Sequence, residues 1–459
     1  MKIALIGAAG VRTPLLVHGL AEVAKQIGLE ELALFDIDAE RLRPVARVAA
    51  AAASECGLAA RLRPAASASE AIDGAGVVIS SIRVGGIRAR VQDETIALAQ
   101  GIIGQETVGA GGFACALRNL TGMMEYARLC DRLAPRAVLV NFTNPVGIVS
   151  QALFQVSGVN VLGVCDTPLE LFESIAQALG RNPAEFDFDY FGLNHLGWVR
   201  GIREAAEAGG RDLLPEVLRS PELIRKSYRY GLFPAELIQR LGVMPSEYLY
   251  YYYLPEVALQ NIRRSGKSRG EAIERLNANL FRRLAAASDG DLLRVYENYL
   301  RERNATYFSI EATAGEKRED ERPLYSQFSG YERIAVSLLA ALASATPKTI
   351  PLTVRNDGAI ADLEPDDSVE LPCSVSATAV TAARPGHVPE TVRELLVRVK
   401  EYERLVARAA VTHSRATALA ALEKNPLVGE AGVARQVLDA YTHAFGATLG
   451  LDAAAPSAP

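Results

Sequence analysis

Near its amino terminus the chain reads Gly7-Ala8-Ala9-Gly10, two glycines set between an apolar run and an amphipathic segment. In that setting the glycines let the backbone approach a pyrophosphate, while the N-terminus of the following helix offers N–H donors and a positive dipole end. The turn departs from the full GxGxxG fingerprint, because the helix opens through Val11, Arg12, Thr13 and Pro14 rather than a third glycine. Asp36 ends the next apolar run, at the distance where a carboxylate accepts hydrogen bonds from an adenosine ribose and disfavours a 2′-phosphate. The pattern points to NAD rather than NADP; a tight strand-to-helix turn with no ligand is the alternative. Arg83, Arg90 and Arg269 carry guanidinium forks that fit phosphate oxygens bidentately, although a single arginine is as a rule a solvated surface charge.

These groups need elements to hold them. The first third alternates short aliphatic runs with longer Ala- and Leu-rich amphipathic segments, the pattern of a parallel sheet with crossover helices. It predicts strands over Lys2 to Ile6, Leu32 to Phe35, Gly76 to Ile82, Ala137 to Asn141 and Val159 to Val164. Helices are predicted over Pro14 to Gln26, Ala39 to Ser54, Arg118 to Leu133 and Val146 to Val156, with another after Pro168, a residue suited to a first helical turn. Beyond about residue 200 long helical stretches take over, interrupted near Thr346 to Asp367 by strands and loops. The fold class is therefore read as α/β: a Rossmann-like doubly wound parallel sheet over 1–197 and a mixed α+β substrate and oligomerisation domain over 198–451. Residues 452–459 form an Ala/Pro-rich tail expected to fray. The charged run Glu316 to Pro323 reads as a solvated loop and a candidate mobile cover.

A chain of 459 residues with 49% hydrophobic composition can bury a large core and has room for two or three domains. A formal charge of -5 leaves no overall basic field for a nucleic acid or an anionic membrane, so the expected ligand is a small molecule. Cys56, Cys115, Cys130, Cys165 and Cys373 contain no CxxC pair, which argues against a disulfide framework or a zinc knot and fits a reducing cytoplasm. No apolar stretch reaches the roughly 20 residues of a membrane span. Met1 leads straight into a strand, too early for a cleaved signal peptide, so a cytoplasmic, unprocessed protein is expected.

A series of local motifs, in order along nearly the whole chain, resembles glycoside hydrolase family 4. After Gly7 to Pro14 and Phe35-Asp36-Ile37-Asp38 come Arg83 to Arg90, Gly104-Gln105-Glu106-Thr107 and Asn141-Phe142-Thr143-Asn144-Pro145. Gly163-Val164-Cys165-Asp166, Gly192-Leu193-Asn194-His195-Leu196 and Tyr248-Leu249 complete it. The resemblance implies hydrolysis of 6-phosphorylated glucosides with NAD and a divalent metal such as Mn2+, outside the usual two-carboxylate mechanism. In that scheme sugar carbon 3 is oxidised, the carbon 2 hydrogen is removed, the aglycone leaves, water adds and the hydride returns.

The resemblance makes Cys165 and His195 the metal ligands, where their types alone would read as a buried strand-end thiol and a hydrogen-bonded core histidine. It makes Tyr248 the carbon 2 base, a role for which a phenol of pKa about 10 needs a nearby cation. The neighbouring Tyr250 to Tyr253 are expected in the core or an interface. Asn144 is placed on the sugar hydroxyls, with a turn asparagine as the alternative, and Arg90 and Arg269 on the phosphate. Asp166 is a feature of the α-specific group, where it protonates the leaving oxygen, while the remaining pattern lies closer to 6-phospho-β-glucosidases; the β activity is favoured. A homodimer or homotetramer is implied. A metal-free 2-hydroxy-acid dehydrogenase and a non-catalytic NAD sensor are the competing readings.

Overall fold

The computed structural model describes residues 1–205, 210–228, 231–306 and 331–452. The charged run Glu316 to Pro323 and tail residues 453–459 lie outside the described residues. Among the described residues, twelve strands form one sheet. In chain order they are β1 (Lys2–Ile6), β2 (Glu31–Phe35), β3 (Arg61–Pro64), β4 (Val77–Ser80), β5 (Val138–Asn141) and β6 (Asn160–Gly163). They continue with β7 (Phe186–Leu193), β8 (Leu196–Glu204), β9 (Met244–Pro245), β10 (Lys348–Arg355), β11 (Ser368–Val375) and β12 (Val380–Ala382). The spatial order is β3-β2-β1-β4-β5-β6-β10-β11-β7-β8-β9, with β12 on β11.

The first six strands pair in parallel. Ile3 to Ile6 and Val77 to Ser80 are buried throughout, as strands covered on both faces must be. Their register sets Phe35, Ile6, Ser80, Asn141 and Gly163 in one row at the carboxyl ends. The sheet then turns antiparallel: β10 meets β6 at Thr353 and Gly163, β11 meets β7 at Glu370 and Gly192, and β7 and β8 form a hairpin. The doubly wound parallel half and the mixed half expected from the sequence are both present, carried on one continuous sheet. No described helix is long and apolar enough to cross a membrane, and all five cysteines are free.

The differences from the sequence reading have local causes. The helix expected from Arg118 begins at Gly109. Its glycine-rich start has poor intrinsic propensity, but a Cβ on Gly111 would lie 2.2 Å from the Gln105 carbonyl oxygen and one on Gly112 2.5 Å from Thr107 backbone. Packing demands glycine there and overrides propensity. The unpredicted β3, Arg61-Leu62-Arg63-Pro64, is a short charged edge strand without an apolar signature. The unpredicted β7 carries one in Phe186-Asp187-Phe188-Asp189-Tyr190, a clear period of two.

One buried ion pair ties the carboxyl-terminal helix Ala431–Phe445 to this frame. Arg118 binds Asp93 through both oxygens at 2.7 and 2.6 Å, with both side chains at most 1% exposed. The Arg118 guanidinium lies 4.1 Å from the Phe445 ring centroid, and the Tyr441 hydroxyl donates to the Asp93 carbonyl at 2.7 Å. Removing one partner of such a pair strands the other charge, so Asp93→Ala should cost about 3 to 5 kcal/mol of stability, read from denaturant midpoints. A loss below about 1 kcal/mol would show that Arg118 finds other compensation.

Candidate active site

The parallel strands deliver the candidate residues to one end of the sheet. Gly7 follows β1 with φ +89, and a Cβ there would lie 2.3 Å from the Ser81 carbonyl oxygen, so only glycine fits the turn. A cleft opens beside it, lined by Leu5, Gly7, Gly10, Arg12, Thr13, Leu16 and Ser81. It lies at the N-terminus of the helix Thr13–Val23, the place a pyrophosphate would occupy. Asp36, just past β2, braces the turn, its two oxygens accepting from the Ala9 and Asp38 backbone N–H groups at 3.0 Å each. Each oxygen keeps a lone pair for a ribose hydroxyl. Beside it Ile37 is 79% exposed, an apolar surface next to the nucleotide turn.

The loops after β4 and β5, which carry Arg83 and Asn144, are cross-tied. Ile82 N–H donates to Thr143 Oγ1 at 3.1 Å, and Asn119 accepts from Val84 N–H at 2.8 Å while donating to the Asn144 carbonyl at 2.7 Å. Asn144 Oδ1 is buried with no partner among the described residues, and so is Asn194 Oδ1. Buried amide oxygens left unpaired are costly, so a polar ligand at this end of the sheet would satisfy them.

Cys165 lies just past β6, and His195 lies in the Asn194-His195 turn between Leu193 and Leu196, which pair to close the β7–β8 hairpin. His195 has φ 126, a conformation rare for a residue with a side chain. Cys165 Sγ is 3.3 Å from His195 Nε2. That spacing suits two donors of one ion, for which bond lengths of roughly 2.1 and 2.3 Å give about 3.1 to 3.6 Å. His195 Nδ1 bonds the Thr107 hydroxyl at 3.1 Å, fixing the ring with Nε2 toward the thiol. Burial lowers the imidazole to about 4, outweighing the pull of Glu106, so the ring is neutral near pH 7 with a lone pair to give. Burial, Asp166 and Glu370 push the Cys165 thiol well up, a setting that a divalent cation would reverse. The pair therefore fits a metal, although the described residues include no cluster of three or more His, Cys, Asp or Glu ligands. Two protein donors leave positions open for substrate oxygens.

The other candidates surround this pair. The Tyr248 ring stacks on His195 with centroids 4.0 Å apart and planes 2° apart, its phenol pushed up by burial and by Glu106. Asp166 Oδ1 is 3.8 Å from Cys165 Sγ, and Oδ2 is 4.0 Å from Arg12 Nη1 in the nucleotide turn. Glu106 joins Arg83 at 2.6 Å and Arg90 at 2.9 Å, and Arg269 and Arg303 add their charge at the same carboxylate. Burial alone would raise Glu106, yet the facing guanidinium groups hold it at about 2. Arg269 donates to the Thr306 carbonyl at 2.7 Å. Tyr250 and Tyr251 are core residues as expected.

Three residues without a predicted role matter here. Glu106 and Thr107 stand in the Gly104-Gln105-Glu106-Thr107 motif, whose residue types show no function until Arg83, Arg90 and His195 are brought beside them. Glu370 accepts from Tyr190 at 2.7 Å and Asn194 at 3.1 Å, and burial raises it to about 7. Its partners lie on the neighbouring strand β7 and the turn after it, distant in sequence, so no local sequence signal marks it.

The chain is similar to known proteins along nearly its whole length. A model of the family 4 glycosyl hydrolases matches residues 2–181, and a model of the family 4 glycosyl hydrolase C-terminal domain matches residues 190–428. The chain is 29% identical over 458 residues to a probable 6-phospho-β-glucosidase of Bacillus subtilis (strain 168), covering 98% of this chain and 97% of the relative. A 6-phospho-α-glucosidase from gut microorganisms, solved with NAD and Mn2+, is 25% identical with a TM-score of 0.80, covering 97% of this chain and 98% of that one. The 6-phospho-β-glucosidase of Thermotoga maritima, solved with manganese, NAD+ and glucose-6-phosphate, is 27% identical with a TM-score of 0.79 at the same coverage.

Thr107 gives a test of the metal assignment that leaves both ligands in place. Thr107→Val keeps the shape but removes the hydroxyl on His195 Nδ1, and should weaken divalent-metal binding about 10- to 100-fold. Dinucleotide affinity should hardly change. Calorimetric titration checks both, and an unchanged metal affinity would remove Thr107 from the site.

Proposed function

The chain belongs to glycoside hydrolase family 4, and from that premise we propose that it hydrolyses glucosides carrying a 6-phosphate, β-linked substrates being favoured, with NAD and a divalent metal such as manganese. The observation that carries this reading is the Cys165–His195 pair, 3.3 Å apart at the carboxyl end of the parallel strands, with Tyr248 stacked on the histidine. When bound, NAD supplies a reversible oxidation of the sugar and the metal supplies Lewis acidity at the oxidised carbon.

The chain's own residues then have distinct tasks. Gly7, Ala8, Ala9 and Gly10 with Asp36 hold the nucleotide, and Cys165 and His195 hold the metal. Tyr248, flat against a metal ligand, takes the proton from carbon 2. Asn144 offers its unpaired Oδ1 to a sugar hydroxyl. Arg90 and Arg269 hold the phosphate, with Arg83 sharing the Glu106 counter-charge. We assign the nucleotide half to 1–197 and the substrate half to 198–451 on the same basis, with assembly as a homodimer or homotetramer. The free cysteines support a reducing cytoplasm as its location. A 2-hydroxy-acid dehydrogenase would need a carboxylate behind its histidine, whereas His195 Nδ1 bonds the Thr107 hydroxyl.

Asp166 beside the metal cysteine favours a second reading, a 6-phospho-α-glucosidase in which this carboxyl protonates the leaving oxygen. Matched α- and β-aryl glucoside 6-phosphates, assayed with NAD, manganese and a thiol reductant, decide between them. The β substrate should be hydrolysed faster; a faster α substrate would establish the second reading. Plain glucosides should bind more weakly by about 2 to 5 kcal/mol, the cost of losing a buried charged partner. Equal efficiency on both would remove the phosphate site.

Tyr248→Phe tests the base. It should suppress exchange of the carbon 2 hydrogen with deuterated water by about 100-fold or more, while hydride transfer to NAD persists in a single turnover. Undiminished exchange would transfer the role to another residue.

A further inference from the structure

The two arginines assigned to the phosphate come from separate elements. Arg90 lies in the helix Gly86–Ala99, whereas Arg269 opens the helix Arg269–Ala286. Besides Glu106, which faces both, a second buried carboxylate ties the two elements together. Glu94, one turn after Arg90 and 2% exposed, accepts from Arg90 Nε through Oε1 at 2.8 Å. Its other oxygen accepts from the backbone N–H of Gly270 at 2.6 Å, the residue that follows Arg269.

The fit around Glu94 is close on two further sides. A Cβ on Gly270 would lie 2.8 Å from Glu94 Oε2, and one on Gly104 would lie 2.0 Å from the Glu94 carbonyl oxygen. On its other edge Arg90 meets Glu106 through Nη1 at 2.9 Å. With Nε and Nη1 so engaged, Arg90 Nη2 has no partner among the described residues. A guanidinium held along two positions and free at the third is prepared to bind an anion rather than merely to pair internally.

We infer that Glu94 is the positioning residue of the substrate-phosphate site, fixing the separation of Arg90 from the helix start that carries Arg269. The inference rests on the reading that Arg90 and Arg269 bind the phosphate. A carboxylate is required because both its oxygens accept; in an amide one oxygen becomes an NH2 group facing another donor. The negative charge also suits the first turn of the helix Arg269–Ala286. A purely structural tie would contribute to stability alone, whereas a positioning residue acts selectively on phosphate.

The test uses enzyme loaded with NAD and manganese, titrated calorimetrically with inorganic phosphate and with glucose 6-phosphate. Glu94→Gln should weaken both about 10- to 100-fold, the range for losing a hydrogen bond to a charged group. KM for an aryl glucoside 6-phosphate should rise in parallel, by more than kcat falls, and NAD affinity should hold. Gly270→Ala should give the same pattern by displacing Glu94 from the opposite side, and it decides the matter should Glu94→Gln fail to fold. Wild-type phosphate affinity in either folded variant, or a loss confined to kcat, overturns the proposal. Arg90→Gln separates the two levels. If it keeps wild-type phosphate affinity, the phosphate reading itself falls; if it loses affinity while Glu94→Gln does not, only the role of Glu94 falls.

Discussion

Parallel pairing is the constraint from which the site follows. Strands that run the same way end at the same edge, and the register here is strict: Phe35, Ile6, Ser80, Asn141 and Gly163 stand in one row. Asp36, Gly7, Arg83, Asn144 and Cys165 each come within three residues after that row. The groups read as nucleotide, sugar and metal contacts are thus gathered by backbone hydrogen bonds before any side chain contributes. Ligands of open α/β sheets gather outside the carboxyl ends of the strands for this reason.

Parallel strands alone would not bring Cys165 and His195 together, because His195 belongs to a hairpin. Two antiparallel strands carry the sheet onward, β10 touching β6 at Gly163 and β11 touching β7 at Gly192. A side chain fits at neither glycine: a Cβ on Gly163 would lie 2.7 Å from Thr353 Cβ of β10, and one on Gly192 would lie 2.3 Å from the Leu196 carbonyl oxygen of its own hairpin partner β8. The close approach brings the hairpin turn over the end of β6. His195 holds its unusual backbone conformation there because pairing on one side and the Thr107 hydroxyl on the other determine it.

What was legible in the chain follows the same division. The nucleotide turn and its strands could be read because their signals are local, an apolar run, then glycines, then a helix start. The metal, base and phosphate residues could be proposed only by resemblance, since a lone Cys, His, Tyr or Arg carries no local pattern. Glu106, Thr107 and Glu370 stayed hidden for a different reason. Each acts through partners far along the chain, Glu106 on Arg83 and Arg90, Thr107 on His195, and Glu370 on Tyr190 and Asn194. The glycine-rich start of the helix Gly109–Leu133 shows the converse, where propensity argued against an element that packing requires.

The arginine cluster follows from the cost of burial. Arg90 is 4% exposed, and a guanidinium so far from water must be paired or its charge is strongly destabilising. Glu94 and Glu106 provide that pairing from helix and loop while leaving the guanidinium hydrogen-bonding capacity over. Arg269 adds its charge at the same carboxylate and bonds the Thr306 carbonyl, so the guanidinium groups of Arg83, Arg90 and Arg269 converge on Glu106. An arriving phosphate would meet cations already desolvated and oriented, and less of its binding energy would go into ordering long side chains. Under the proposed phosphate site, selectivity for a phosphorylated sugar over a plain one would rest on buried cations that a neutral hydroxymethyl group cannot balance.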